Sequence, residues 1–168
     1  ITLTPTLYYD NAQASPKNSH ITAVVPSGTI ESSKVVFGKV DGLQDVMTIG
    51  ADQDAGTAAS PNQDGCKLTF SHKTTQLVFA ASYTSVADNK GEWAGKDVSI
   101  KSIKVLGTQL PQSVNLTNGD VNWATASDFS VPNITTTTLS TTASTISPAV
   151  MVAPSNDIKL NVTINVGG

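Results

Sequence analysis

The stretch KLTFSHKTTQLVFAASY, residues 67–83, is the longest β-rich run in the interior of the chain. Leu68 and Phe70 alternate with polar neighbours, and the alternation resumes after a polar insert at residues 72–74. Apolar and aromatic residues at every second position are typical of a half-buried strand. The apolar residues occupy even-numbered positions before the insert and odd-numbered positions after it. This change of parity predicts one long strand, or two strands, with a bulge or corner near His72. A core is expected around the larger apolar side chains of this stretch, Leu68, Phe70, Leu77 and Phe79.

The composition favours an all-β protein. The 168-residue chain is rich in Thr and Val, has Glu only at Glu31 and Glu92, and contains no Arg. Good helix formers for exposed faces are therefore scarce. No window of about eleven residues shows the apolar spacing of an amphipathic helix. A chain of this length fits one domain, so we predict a single domain over residues 1–168.

Short alternating segments between turn residues predict an antiparallel β-sandwich of roughly ten strands. The first segment, residues 1–9, contains Pro5 and is expected at a sheet edge, because proline cannot donate to a ladder. Residues 50–65 are small and acidic and are expected to form a loop. The other predicted strands are 20–25, 34–40, 44–49, 96–106, 112–116, 120–123, 149–152 and 157–166.

Three local signals predict specific features of these strands. Between Ile100 and Ile103 the apolar parity changes, which predicts a second bulge. Asn118-Gly119 lies between two alternating segments and is the strongest hairpin signal in the chain. Residues 135–145 are nearly all Thr and Ser. This segment is compatible with a mucin-like stalk or a threonine-rich strand on the sandwich surface, and β-propensity favours the strand.

The last alternating run, IKLNVTINV at residues 158–166, is uninterrupted. Polar residues occupy one face of the predicted strand. The other face carries five aliphatic residues, Ile158, Leu160, Val162, Ile164 and Val166. Such a strand either pairs within its own domain or adds to the open edge of a neighbouring molecule, where its apolar side chains fill a groove. The sequence leaves both alternatives open.

Charge and hydropathy exclude several classes of function. The net charge is −3 and the ten lysines are scattered, so a basic patch for nucleic acid is not expected. No apolar run approaches ~20 residues, so no transmembrane segment is predicted. The opening ITLTPTLYYD lacks the charged and apolar regions of a signal peptide.

Cys66 has no partner for an internal disulfide and is expected to be a small buried side chain instead of a reactive thiol.

The sequence shows no recognisable catalytic or metal-binding pattern, so we predict no enzyme, no metal site and no cofactor. Neither His20 nor His72 has an identifiable nucleophile partner, and His72 is expected to be a hydrogen-bonded structural group. Residues 52–56 match the beginning of a calcium-binding loop. However, the twelfth position of that pattern is Gln63 instead of Glu, so a solvated acidic loop is predicted.

Two tryptophans are the candidate ligand-contact residues. Trp93 and Trp123 both lie beside turn residues. Exposed tryptophans stack on sugar rings, whereas packed tryptophans belong to a core or its rim. A monomeric secreted β-sandwich that binds carbohydrate is therefore the alternative to a structural subunit that adds a strand to its neighbour.

Several segments, taken in order, resemble the fimbrillin-like proteins of Bacteroidetes, the type V pilins. The four longest are DGLQDVMTIGADQDAG at 41–56, LTFSHKTTQLVF at 68–79, VSIKSIKVLG at 98–107 and NGDVNW at 118–123. That family carries an Asp-hydrophobic-Met segment, an F-x-H strand, an I-x-x-I-x-hydrophobic-x-G strand and a glycine turn before tryptophan. Three shorter segments extend the resemblance to most of the chain: YYD at 8–10, VVPSG at 24–28 and VMVAP at 150–154.

The resemblance implies a transthyretin-like, Greek-key β-sandwich that acts as a subunit of a fimbria or pilus, or as a related adhesin, at the bacterial cell surface. Such precursors are exported to the outer membrane as lipoproteins and trimmed by an Arg-specific protease. They then polymerise by inserting a terminal strand into the sheet of a neighbour. The implied partners are copies of the chain or other pilus subunits, together with a host glycan or protein receptor. The strand-exchange residues would be the five aliphatic residues of 158–166.

Overall fold

The computed structural model describes residues 19–50, 53–57, 60, 68–83, 93 and 95–167. These residues form β-strands and no helix, and every strand pair among them is antiparallel. The prediction of an all-β antiparallel sandwich is confirmed. The predicted edge strand 1–9 and Cys66 lie outside the described residues.

The strands of the described chain are β1 Ser19–Ile21, β2 Val24–Val25, β3 Thr29–Glu31, β4 Lys34–Val36, β5 Met47–Thr48, β6 Gln53–Gly56, β7 Ser71–His72, β8 Thr75–Leu77, β9 Ala80–Ala81, β10 Asp97–Thr108, β11 Pro111–Asn115, β12 Val121–Trp123, β13 Ser127–Ser130, β14 Ser144–Thr145, β15 Val150–Val152 and β16 Lys159–Gly167. Three larger sheets have the orders β13-β10-β16, β12-β11-β4-β3 and β2-β5-β7. Three further pairs join β1 to β6, β8 to β15 and β9 to β14. The predicted loop at 50–65 therefore contains a strand, β6.

The central element of the fold is β10, which runs for 12 residues between β13 and β16. Its register with β16 shifts between Ile100 and Ser102, which confirms the predicted bulge. The extra residue allows apolar side chains on both sides of the bulge to face the same core, because side chains alternate along a strand. Four side chains of β10 are less than 8% exposed, Val98, Ile100, Ile103 and Val105.

In the described part of the chain, most buried apolar side chains form two clusters. The buried side chains of the first are Ile100, Ile103, Val105, Val131, Ile146 and Val150. Those of the second are Val35, Phe37, Val46 and Val114. Valine and isoleucine dominate both, which suits the close packing of β-branched side chains on pleated sheets.

The expectation that the core forms around Leu68, Phe70, Leu77 and Phe79 is wrong. Leu77 and Phe79 pack against the first cluster, while Leu68 and Phe70 are half-buried and belong to neither. The change of parity predicts a bulge or corner near His72 that places both halves on the same core; the chain does turn there, but the two halves do not share a core. After β7 pairs with β5, the chain turns and β8 pairs with β15. The two halves of 67–83 thus join different sheets.

The hairpin predicted at Asn118-Gly119 joins β11 and β12, but its connection spans residues 116–120 instead of two residues. Asn118 Oδ1 accepts from the backbone N–H of Asp120 at 3.0 Å, and its Nδ2 donates to Asp120 Oδ2 at 2.7 Å. Gly119 has φ +73°, and a Cβ there would lie 2.7 Å from the Cα of Gly50. This position therefore requires glycine both for its backbone conformation and for its close packing.

The Thr/Ser-rich segment 135–145 is a strand only at its end, β14. Two backbone hydrogen bonds nevertheless hold it against the sandwich, from Thr135 N to Ile146 O at 2.7 Å and from Leu139 N to Val98 O at 2.7 Å. Its Thr and Ser side chains are exposed. The segment is therefore neither a free stalk nor the continuous surface strand that β-propensity favoured.

Candidate functional site

Among the described residues, β16 is the longest strand at the edge of a sheet, and its outer edge is the first candidate contact feature. β16 pairs with β10 along its length, from Lys159 opposite Leu106 to Gly167 opposite Asp97. Within the part of the chain that the structure describes, no strand pairs with the other edge of β16. Alternate residues of an edge strand direct their N–H and C=O groups away from the sheet. β16 therefore offers 9 residues of backbone to an incoming strand.

An apolar row runs along β16 on the side of the sheet that faces the core. Leu160, Val162 and Ile164 are 44%, 44% and 41% exposed. They lie opposite Val105, Ile103 and Ile100 of β10, which are buried. Directly opposite residues of an antiparallel pair share a face of the sheet. The core therefore covers β10 but leaves this row of β16, hereafter the β16 row, accessible to solvent.

Charges do not block this edge. From Leu160 to Gly167, β16 has no charged side chain. Lys159, at the start of the strand, forms an exposed ion pair with Asp157 at 3.2 Å. Protected sheet edges carry lysines, prolines or inward-pointing charges that prevent strand addition. β16 has a single lysine, which is its first residue.

The five predicted strand-exchange residues lie together. Leu160, Val162, Ile164 and Val166 belong to β16, and Ile158 immediately precedes it and packs against the first core cluster. Of the two alternatives left open by the sequence, this structure shows the strand paired within its own domain. Donation of β16 to another molecule would require release of its ladder with β10. Strand exchange by these residues remains a prediction.

The two tryptophans do not form a shared platform. The backbone oxygen of Trp93 accepts hydrogen bonds from Lys96 N at 3.1 Å and from the Tyr83 hydroxyl at 2.8 Å, close to the start of β10. Trp123 lies opposite Pro111, beyond the other end of β10. Trp93 is 41% exposed, whereas Trp123 is half-buried. Glycan contact through Trp93 or Trp123 stays a prediction.

A second candidate feature is a small cleft beside the corner between β7 and β8. It has a volume of about 180 Å³ and is lined by Asp45, His72, Thr74, Gln76 and Met151. His72 Nδ1 lies 2.5 Å from Asp45 Oδ2. The hydroxyl of Thr74 donates to Asp45 Oδ1 at 2.7 Å and accepts from the backbone N–H of Val46 at 3.4 Å. These contacts fix the corner that turns the chain from one sheet to the other.

His72 is hydrogen-bonded, as predicted. The cluster is not a nucleophile–base–acid arrangement, because the Thr74 hydroxyl is bonded to Asp45 and not to the imidazole. Sequence reasoning missed Asp45 as the partner of His72, and Thr74 as the second partner of Asp45. Asp45 lies 27 residues from His72, and only the corner brings the two together. Asp45 precedes buried Val46, which puts it on the outer face, but no sequence signal pairs it with His72.

The residues predicted to form only an acidic loop are partly described. Asp54 Oδ1 accepts from the backbone N–H of Gly56 at 2.8 Å, a local turn contact, and Asp52 lies outside the described residues. In the described part of the chain, no group of three or more His, Cys, Asp or Glu side chains is placed to hold a metal ion. No helix in that part is long and apolar enough to cross a membrane.

Comparison with known proteins adds no assignment. Neither a protein-family model, nor a curated protein, nor a solved structure matches this chain.

Proposed function

We propose that this chain is a structural subunit that assembles by β-strand addition, as part of a fimbria, pilus or related adhesin at a bacterial cell surface. The observation that carries the proposal is the edge of β16 that no described strand covers, together with the exposed β16 row. Long exposed apolar edges are aggregation hazards unless a partner strand covers them. The placement at a cell surface rests on the resemblance to fimbrillin-like proteins alone.

The energetics favour a contact that combines side chains with backbone. Full burial of an aliphatic side chain contributes ~1.5–3 kcal/mol, so covering the exposed parts of Leu160, Val162 and Ile164 contributes roughly 2–4 kcal/mol in total. Association costs ~4–15 kcal/mol in lost freedom of motion. The apolar row alone is therefore insufficient. Each ladder hydrogen bond adds a net ~0.5–1.5 kcal/mol, so the incoming strand must pair along most of β16.

The proposed occupant of the edge is a strand from a second copy of the chain. Pairing of β16 with β16 would be a two-fold contact and would close as a dimer. Pairing of β16 with a different strand is head-to-tail and continues into a fibre. Residues 1–9, ITLTPTLYY, have the required alternation and carry no charged side chain that would oppose the β16 row. We therefore assign residues 1–9 of the neighbouring copy as the incoming strand.

A matched pair of charge substitutions tests the proposal. Val162→Lys places a charge in the β16 row, whereas Thr163→Lys places the same charge on the opposite face, and both positions are exposed. Sedimentation velocity over a concentration series should show assembly of the parent protein and of Thr163→Lys. Val162→Lys, and a chain lacking residues 1–9, should remain monomeric. Parent protein that stays monomeric at every concentration would reject the proposal.

A further inference from the structure

Asn118-Gly119, in the β11–β12 hairpin, is the only Asn-Gly pair in the chain. An asparagine before glycine is the least hindered site for deamidation, because glycine has no side chain to keep its own nitrogen away from the preceding carboxamide. In that reaction the Gly119 nitrogen bonds to Cγ of Asn118, the Cγ–Nδ2 bond breaks, and ammonia leaves with the proton of the Gly119 N–H. Water then opens the cyclic imide and leaves aspartate or isoaspartate at position 118.

Hydrogen bonds hold both reacting groups of this pair in the folded chain. The backbone N–H of Gly119 donates to the carbonyl oxygen of Asn115 at 2.8 Å. The carboxamide of Asn118 is bonded through both its oxygen and its nitrogen to Asp120. The proton that the reaction must remove is therefore engaged, and the carboxamide cannot turn toward the Gly119 nitrogen without losing hydrogen bonds.

Packing fixes the backbone of Gly119 as well. Gly119 is buried although Asn118 is exposed. The hydroxyl of Thr48 donates to the carbonyl oxygen of Gly119 at 3.5 Å, and a Cβ on Gly119 would lie 2.9 Å from the backbone oxygen of Gly50. Ring closure moves the Gly119 nitrogen toward Cγ of Asn118. This part of the hairpin must therefore leave Thr48 and Gly50 before the reaction can occur.

We propose that Asn118 is a modification site controlled by opening of the β11–β12 hairpin. The folded chain protects it, and each opening exposes it to conversion into aspartate or isoaspartate. Isoaspartate adds a methylene to the main chain, so the lengthened connection no longer places Gly119 against Gly50. Asparagine is not regenerated, and the modification therefore records that the hairpin has opened. The inference is independent of the proposed assembly through β16.

The test follows deamidation of the full chain in water enriched in ¹⁸O, which labels position 118 when the imide is hydrolysed. Mass spectrometry compares protein in buffer with the same protein in guanidinium chloride, at one pH and temperature. Asn118 should convert at least ~10-fold more slowly in the folded protein, because only the open fraction reacts. Equal rates in the two solutions would overturn the proposal, and so would an Asn118 that stays unmodified in guanidinium chloride.

Two valine truncations separate opening of the hairpin from the chemistry of the pair. Val114→Ala shortens a fully buried side chain of β11, whereas Val162→Ala shortens an exposed side chain of β16. In buffer, Val114→Ala should convert Asn118 at least ~5-fold faster than the parent, because a core truncation raises the open fraction. Val162→Ala should react as the parent does.

Asp120→Ala is a second variant, at an exposed position, and it removes the carboxylate that holds Nδ2 of Asn118. It should also speed the conversion in buffer. In guanidinium chloride the parent and all three variants should react at similar rates, since the hairpin is absent there. The proposal is overturned if neither Val114→Ala nor Asp120→Ala reacts faster than the parent in buffer.

Discussion

Ile103 and Val162 lie directly opposite each other in the β10–β16 ladder, yet Ile103 is 3% exposed and Val162 is 44% exposed. The two side chains share one face of one sheet, and the core ends between them. This boundary divides the residues that stabilise the fold from those that are available for contact with another molecule.

Truncation to alanine should lower the free energy of unfolding by different amounts on the two sides of this boundary. Ile103→Ala leaves a cavity in the first core cluster and should lower the free energy of unfolding by about 2–5 kcal/mol. Val162→Ala removes a side chain that is already partly solvated and should cost less than about 1 kcal/mol in the monomer. Urea denaturation of dilute protein measures both values. Equal losses would mean that the core extends over β16.

Gly119 should tolerate alanine less well than another glycine with positive φ. Both Gly119 and Gly107 have positive φ, +73° and +58°, but a Cβ at Gly107 would meet nothing within 4 Å. Gly107→Ala should therefore cost only the backbone strain, on the order of 1 kcal/mol. Gly119→Ala adds a steric conflict with Gly50 and should cost at least about 1 kcal/mol more. Thermal and urea unfolding of the two variants give the comparison, and equal losses would contradict it.

The stability of the chain should depend on pH through Asp41. The ammonium of Lys39, 2.6 Å from its carboxylate, and the backbone N–H of Leu43 hold the pKa of Asp41 below its ordinary value of 3.8. A pKa lowered by folding stabilises the protein above the unfolded pKa, and that contribution is lost as the pH falls through the folded pKa.

Asp41→Asn should therefore reduce the free energy of unfolding at neutral pH, by at most about 1 kcal/mol because Lys39 is exposed. The difference from the parent should shrink as the pH falls below about 4. Asp157→Asn, which breaks the exposed pair with Lys159, is the control and should change little. Urea denaturation across the acidic range measures the difference in free energy of unfolding between the parent and Asp41→Asn. A difference that grows as the pH falls would contradict the prediction.

Thr74 should be needed for the corner that follows His72. Thr74→Val removes the hydroxyl that bonds Asp45 Oδ1 and the backbone N–H of Val46, so both lose this partner, while Asp45 Oδ2 keeps its contact with His72. The expected loss in free energy of unfolding is about 1–2 kcal/mol. The exposed Thr69 lies on the same segment, and Thr69→Val should be close to neutral. A neutral Thr74→Val would mean that the corner does not depend on this hydroxyl.

Local patterns in the sequence predicted local structure well. The change of parity between Ile100 and Ile103 predicted the bulge in β10, because a shift of one residue moves every side chain to the other face. Asn118-Gly119 predicted its hairpin through the backbone conformation that glycine allows. The regular alternation of residues 158–166 predicted β16. Each of these features depends on neighbours within a few positions.

Features that depend on distant residues were not predicted. The sequence marks 67–83 as the apolar centre, but which strand becomes central depends on pairings such as that of β10 with β16, nearly sixty positions away. The contact of Asp45 with His72 arises from the corner and from no motif. The exposure of the β16 row also could not be read from its alternation, which would suit a covered strand equally well.

The central claim is that the free edge of β16 accepts a strand from another copy, and amide hydrogen exchange across a concentration series tests it most directly. In dilute protein, the outward-facing amides of Lys159–Gly167 should exchange rapidly, while those bonded to β10 are protected. As the protein assembles, the outward-facing amides should become protected at alternate positions along the strand. Assembly with no change in the exchange of β16 would contradict the account.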